Sequence, residues 1–136
     1  MEVRIAAVAD YAALTLDRKL LIMGIFSTIY ALKEPIVHPS MFLVYQIDFE
    51  ASEIGRKDLT VVLMDDDGHE LIKFIGNVDV GRPAAGQMAS YNQVFALNVL
   101  SLPKFGQYEF QILLNGRTEA RVPLYVVKAE SPPQPG

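Results

Sequence analysis

The sequence predicts an all-β fold: an antiparallel two-sheet sandwich of about eight or nine strands, immunoglobulin-like or C2-like, with little helix. Three observations predict it. Side chains alternate at period two, most cleanly where Tyr108, Phe110, Ile112 and Leu114 oppose Gln107, Glu109 and Gln111. Turn signals recur at the spacing of short strands. No long amphipathic helical period interrupts them. The 136 residues are the size of one domain, placed at residues 1–128, with a proline-rich tail at 129–136.

The elements follow in order. Val3, Ile5, Ala7 and Ala9 alternate with Arg4, Ala6, Val8 and Asp10, which predicts a strand. The alanines nearby favour an irregular or helical end near residues 11–14. Asp17-Arg18 reads as a turn. Residues 20–31 are rich in Ile, Phe, Thr and Tyr and read as one strand, hairpinned to the first. Gly24 within it signals a bulge or a close backbone approach. Residues 34–39 carry two prolines and read as a crossover loop, since each proline lacks a donor and extends its predecessor.

Residues 41–49 form a strand and 51–58 a polar loop. Residues 59–64 and 70–75 form a hairpin around Asp65-Asp66-Asp67-Gly68, residue types that tolerate positive φ. Residues 76–90 are the least regular part, with 78–80 as a short strand. Residues 91–100 resume the sheet. Residues 107–114 and 118–127 form the last hairpin around Asn115-Gly116, the strongest short hairpin signal. Pro123 places its strand at an edge or a bulge.

Two resemblances follow. The segment Leu102-Pro103-Lys104-Phe105-Gly106-Gln107-Tyr108-Glu109-Phe110, with the hairpin and Val122-Pro123-Leu124 after it, resembles the closing strands of immunoglobulin-like and related sandwiches. That likeness speaks for fold, not function. Ala9-Asp10-Tyr11-Ala12, Lys19-Leu20, Gly24-Ile25-Phe26 and His38-Pro39 resemble a family of small bacterial proteins of unassigned function. Asp17-Arg18 stands where that family would place Asp-Gly before the Lys-Leu pair. The resemblance implies a bacterial origin and a compact β domain, and it carries over no catalytic residue.

Composition narrows the chemistry. The formal net charge is −4 and the basic residues form no stripe, which argues against nucleic acid and against an anionic membrane surface. No cysteine is present, so disulfides and thiolate chemistry are excluded, and a reducing compartment fits. The first residues do not read as a signal peptide and the longest apolar run is too short to span a bilayer. The expected location is therefore cytoplasmic.

His38 and His69 stand alone, without metal-ligand spacing. Asp65, Asp66 and Asp67 are weak calcium candidates, because three successive acids on a turn point apart and the alternating calcium-loop pattern is absent. Asp48, Glu50 or Asp79 could supplement them from neighbouring loops. No nucleophile elbow or phosphate loop appears. Neither a catalytic residue nor a cofactor is predicted.

One feature asks for a partner. In residues 20–30, 41–47 and 59–64 both strand faces are apolar, where a sandwich strand should be polar outward. Burying one extra row of four large side chains is worth roughly 6–12 kcal/mol, and monomers rarely leave such a row in water. The predicted interface is Ile22, Phe26, Tyr30, Phe42 and Val44, covered by a second copy or another protein. The rival cover is intramolecular, from the proline loop, residues 76–90 and the tail. The predicted role is a non-enzymatic binding or assembly module that self-associates. The alternative is a small-molecule or carbohydrate-binding domain using loops 65–69 and 81–88, with Tyr30, Tyr45 and Tyr91 as candidate ring surfaces. An enzyme with an unrecognised pair of carboxylates is the third reading.

Overall fold

The computed structural model describes residues 1–130, so residues 131–136 of the expected tail lie outside the described residues. The chain folds into nine strands: β1 (Glu2–Leu14), β2 (Leu20–Phe26), β3 (Thr28–Ala31), β4 (Ile36–Phe49), β5 (Gly55–Asp65), β6 (Glu70–Val80), β7 (Ala89–Leu102), β8 (Gly106–Leu114) and β9 (Arg117–Lys128). A single 3-10 turn at Ala51–Glu53 is the helical structure among the described residues. The strands form a four-stranded sheet, β2-β1-β4-β7, and a five-stranded sheet, β3-β9-β8-β5-β6. The expected sandwich is therefore present. Every pairing is antiparallel except β3 with β9, which run parallel.

Strand alternation builds the core. β4 sends Met41, Leu43, Tyr45, Ile47 and Phe49 inward, each worth about 1.5–3 kcal/mol on full burial. They meet Leu59, Val61 and Leu63 of β5 and Tyr108, Phe110, Ile112 and Leu114 of β8. Tyr45 stacks toward Tyr91 and Phe95 with ring centroids 6.4 and 6.1 Å away. At the flank between the two sheets, Phe95 meets Phe74 edge-on at 5.1 Å. At the start of β8, the Tyr108 hydroxyl donates to the Lys104 carbonyl at 2.6 Å and accepts from the Lys104 amide at 3.2 Å.

Five local expectations change. Residues 55–58 of the expected polar loop are the start of β5, where Gly55 to Asp58 pair with Val80 to Asn77. Residues 11–14 are strand, not helix, because Tyr11, Ala12, Ala13 and Leu14 all pair with β2. The run 20–31 is two strands in different sheets, crossing at Ser27, whose carbonyl accepts from the Tyr125 amide at 2.7 Å. Residues 36–39 belong to β4 despite Pro39. β1 pairs with β4 only as far as Phe42, so Pro39 faces a side where no ladder donor is required. Opposite it, Val99 has φ 55°, and inward residues change from even (Ile36, Leu100, Leu102) to odd (Met41, Leu97) across this paired kink. Residues 76–80 continue β6, because Val78 and Val80 are core residues and Gly76 lies level with Leu59.

Pro123 sits as expected. β9 pairs with β3 only from Tyr125 onward, so the proline stands beyond that partner on β9's open side.

Candidate functional site

The outer face of the four-stranded sheet is the place where the sequence demands a cover. Even-numbered β4 residues from Ser40 to Asp48 alternate with the core row and face outward, with Asn92, Val94 and Ala96 beside them on β7. Gln46 donates to Asn92 at 2.8 Å across this face. Asp48, 5% exposed, closes its lower rim between Arg4 Nη1 at 3.2 Å and the Ser90 hydroxyl. Yet Val44, in the middle of this outer face, has no exposed area, and neither has Ala9 of β1.

The β1–β2 hairpin is the cover. The residue of β1 level with Gln46 is Ile5. The hairpin tip is far along the chain from there, but the Asn92 side-chain amide donates to the Arg18 carbonyl at 2.8 Å. The distal half of the hairpin therefore doubles back across its own sheet as an arm. Ala12, Ile22, Leu14 and Leu20 form one row of it by register and are buried or half-buried. Tyr11 keeps edge contact with Phe42 at 5.4 Å between ring centroids. The bend falls at Asp10 and Gly24, the one pair missing from the hairpin register between Ala9–Ile25 and Tyr11–Met23. Gly24 has φ +71°, and a Cβ there would stand 2.6 Å from Asp10 Oδ2. Both sequence signals expected of Gly24, a bulge and a close approach, meet at this hinge.

This arrangement divides the five residues of the predicted interface among different surroundings. Phe42 and Val44 lie under the arm, and Ile22 belongs to the arm's half-buried row. Phe26 is level with Val8 and packs on the core. Tyr30 is 62% exposed but lies in the other sheet, level with Val127. The outer sheet face is covered within the chain, and by a segment that neither the proline loop nor residues 76–90 supplies. Sequence patterning could not separate these faces, because β2 is apolar on both.

What the arm exposes in turn is its own second row. Leu21, Met23 and Tyr11 are 49, 59 and 47% exposed, Ile25 at the bend is 66% exposed, and Leu16 at the tip is wholly exposed. No charged residue lies in β2, which is also an edge strand. Charge is confined to the tip, where Lys19 pairs with Asp17 at 3.1 Å, and to Asp10 at the bend.

The acidic turn has a different construction. Asp65 Oδ1 accepts from the amides of Asp67 and His69, both at 2.9 Å, and Oδ2 lies 3.2 Å from His69 Nδ1. Partial burial draws this carboxyl up, but those hydrogen bonds outweigh it, and Asp65 stands below the ordinary aspartate value. Ligand atoms of Asp65, Asp67 and His69 lie within 4.8 Å of one another. Lys104 Nζ sits 3.2 Å from Asp67 and 3.4 Å from Asp66, so an ammonium group already answers the negative charge. Asp48 and Asp79 do not join this turn. Asp48 is held by Arg4 and Ser90, and Asp79 is level with Arg56 at the opposite end of β5.

Loops 65–69 and 81–88 are likewise kept apart. They cap opposite ends of β6, whose 11 residues span about 36 Å at about 3.3 Å each. Tyr45 is fully buried. Tyr91 borders a hollow of about 330 Å³ with Arg18, Asp79 and Gly81. Tyr30 borders a separate groove beside Asp10 and His38.

Among the described residues no helix is long and apolar enough to cross a membrane. Comparison with curated proteins returns no match. A family model does match, over residues 4–127. That span takes in both sheets and the arm, and the chain belongs to this family, described as a family of unknown function (DUF6941).

Proposed function

We propose that this protein is a non-enzymatic binding or assembly module, and that its β1–β2 arm docks on a second copy of the chain. The carrying observation is the exposed row Tyr11, Leu21, Met23 and Ile25 with Leu16 at the tip, on a hairpin whose edge strand bears no charge. Large side chains each hold on the order of 150–200 Å². Half-exposure of five leaves roughly 400–500 Å² per copy, so a symmetric pair buries about 1,000 Å², the lower bound for a specific interface. An uncharged row offers a charged partner nothing to pair with, whereas it is complementary to itself about a two-fold axis.

The absence of cysteine supports a reducing, cytoplasmic setting. The Tyr108–Lys104 corner supports reading the sandwich as immunoglobulin-like. The resemblance noted in the front half of the sequence supports a bacterial source.

Sedimentation at about 5 to 200 μM, the range suited to a small interface, tests the docking. The expected result is a reversible dimer that Met23→Lys and Ile25→Lys abolish, with melting temperatures near wild type because both sites are exposed. A wild-type monomer across the whole range overturns the proposal.

A further inference from the structure

The bend of the arm and the crossing of the chain between sheets leave a groove of about 490 Å³ lined by Asp10, Phe26, Thr28, Ile29, Tyr30 and His38. Its polar groups are unspent. Among the described residues, the side chains of Asp10, Thr28, Tyr30 and His38 make no hydrogen bond, and Asp10 has no ion pair. Elsewhere Asp17, Asp48, Asp66 and Asp67 each pair with a lysine or arginine, while Asp58 and Asp79, like Asp10, have no ion pair among the described residues. No lysine or arginine lines this groove.

The remaining walls are apolar and aromatic. Phe26 is half-buried, and its ring centroid lies 6.0 Å from that of His38. Tyr30 is 62% exposed and borders the same groove. Gly24 holds the carboxylate in place by leaving room for it, since a Cβ there would collide with Asp10 Oδ2. An uncompensated carboxylate beside aromatic rings and free hydroxyls is the arrangement that recognises an ammonium group carried on an apolar body.

We infer that this groove binds a small primary amine with an aromatic or branched apolar body. Asp10 pairs with the ammonium, the Thr28 and Tyr30 hydroxyls accept its remaining N–H bonds, and Phe26, Ile29 and Tyr30 enclose the body. This site is distinct from the exposed row of the arm, and its failure would leave the docking proposal standing.

Calorimetric titration of the full chain with phenethylamine, phenylacetate and 2-phenylethanol tests it. These probes share a ring and differ in charge. The expected result is a phenethylamine Kd of about 0.1–1 mM, reasonable for a ligand of this size, with no measurable phenylacetate binding. Asp10→Asn, at an exposed position, is expected to leave the circular dichroism unchanged and to weaken phenethylamine at least about tenfold, as loss of a charge-assisted pair does. Tyr30→Ala is expected to weaken it several-fold without restoring phenylacetate. Equal binding of the neutral alcohol, unchanged affinity in Asp10→Asn, or no phenethylamine binding at concentrations well above that range overturns the inference.

Discussion

The Asp10 carboxylate occupies the space that a side chain at position 24 would need: its Oδ2 would lie 2.6 Å from a Cβ built on Gly24. Gly24 also has φ +71°, a conformation costing other residues roughly 1–2 kcal/mol. Two separate penalties thus fall on one substitution. Gly24→Ala is expected to destabilise the protein by about 2 kcal/mol or more. Asp10→Ala in the same chain should relieve the contacts with the carboxyl group and leave both the dihedral part and the 3.1 Å approach of the Cβ at position 10. Urea denaturation of the two single variants and the double variant measures the coupling. Additive losses would mean that Asp10 does not lean on this hinge.

Two buried tyrosines make opposite predictions for the same chemical change. Tyr108 uses its hydroxyl twice, toward the carbonyl and the amide of Lys104. Tyr108→Phe leaves both of those backbone groups short of a partner and is expected to cost about 1–2 kcal/mol. Tyr45 is wholly buried and its hydroxyl has no hydrogen-bond partner. Tyr45→Phe removes an unsatisfied polar atom without changing the ring, so it should be neutral or stabilising by up to about 1 kcal/mol. Chemical denaturation of both variants decides. A loss at Tyr45 as large as that at Tyr108 would show a partner for the Tyr45 hydroxyl that the fold does not display.

Burial also pushes the Tyr45 phenol above its ordinary value. A proton held more tightly in the folded chain stabilises it below the ordinary tyrosine value near 10. As pH rises past that value, the unfolded chain loses its proton first and stability falls. Wild type should therefore weaken above pH 10 more steeply than Tyr45→Phe. Parallel alkaline slopes in the two proteins would contradict this.

Sequence periodicity made much of this fold legible, and where it failed the reasons are physical. Residues 107–114 alternate because one face of β8 is core and the other is not, and Asn115-Gly116 forces the turn. The doubly apolar runs also announced a covered outer face. The identity of the cover was not legible. Ala12, Leu14, Leu20 and Ile22 look the same in sequence whether they face the core, the outside of their own sheet, or another molecule. The local signals were Gly24, read as a bulge, and the apolar edge of β2. Their joint meaning, a hinge that folds the hairpin back, depends on Arg18 reaching Asn92, a contact no local pattern encodes. The same limit hid the groove, because Asp10, Thr28, Tyr30 and His38 come from three strands.

Asp65 organises its turn by accepting from the amides of Asp67 and His69. Its carboxyl is held below the ordinary aspartate value, so the folded state releases that proton more readily than the unfolded chain. That contribution is complete above the ordinary aspartate value of 3.8 and fades as pH falls below it. Asp65→Asn cannot titrate and should show a flatter stability profile between about pH 5 and pH 2. Thermal melts across that range test the difference. Identical profiles would remove Asp65 from the acid response.

Val99 has φ 55°, a left-handed conformation that a β-branched residue adopts at a cost. It is 68% exposed, so little packing compensates for that cost. It stands opposite Pro39, where both strands exchange their inward and outward rows. The kink itself is needed, since Met41 and Leu97 on one side and Ile36 and Leu102 on the other all reach the core. The side chain at its apex is not. Asn tolerates this region better than Val and avoids the extra unfolded-state freedom of Gly. Val99→Asn is therefore expected to stabilise by about 0.5–1 kcal/mol, and Val99→Gly by less. A rise in melting temperature for Val99→Asn, with unchanged circular dichroism, is the expected reading. A fall in both variants would mean that the Val99 side chain packs against something in solution, most simply a second copy of the chain.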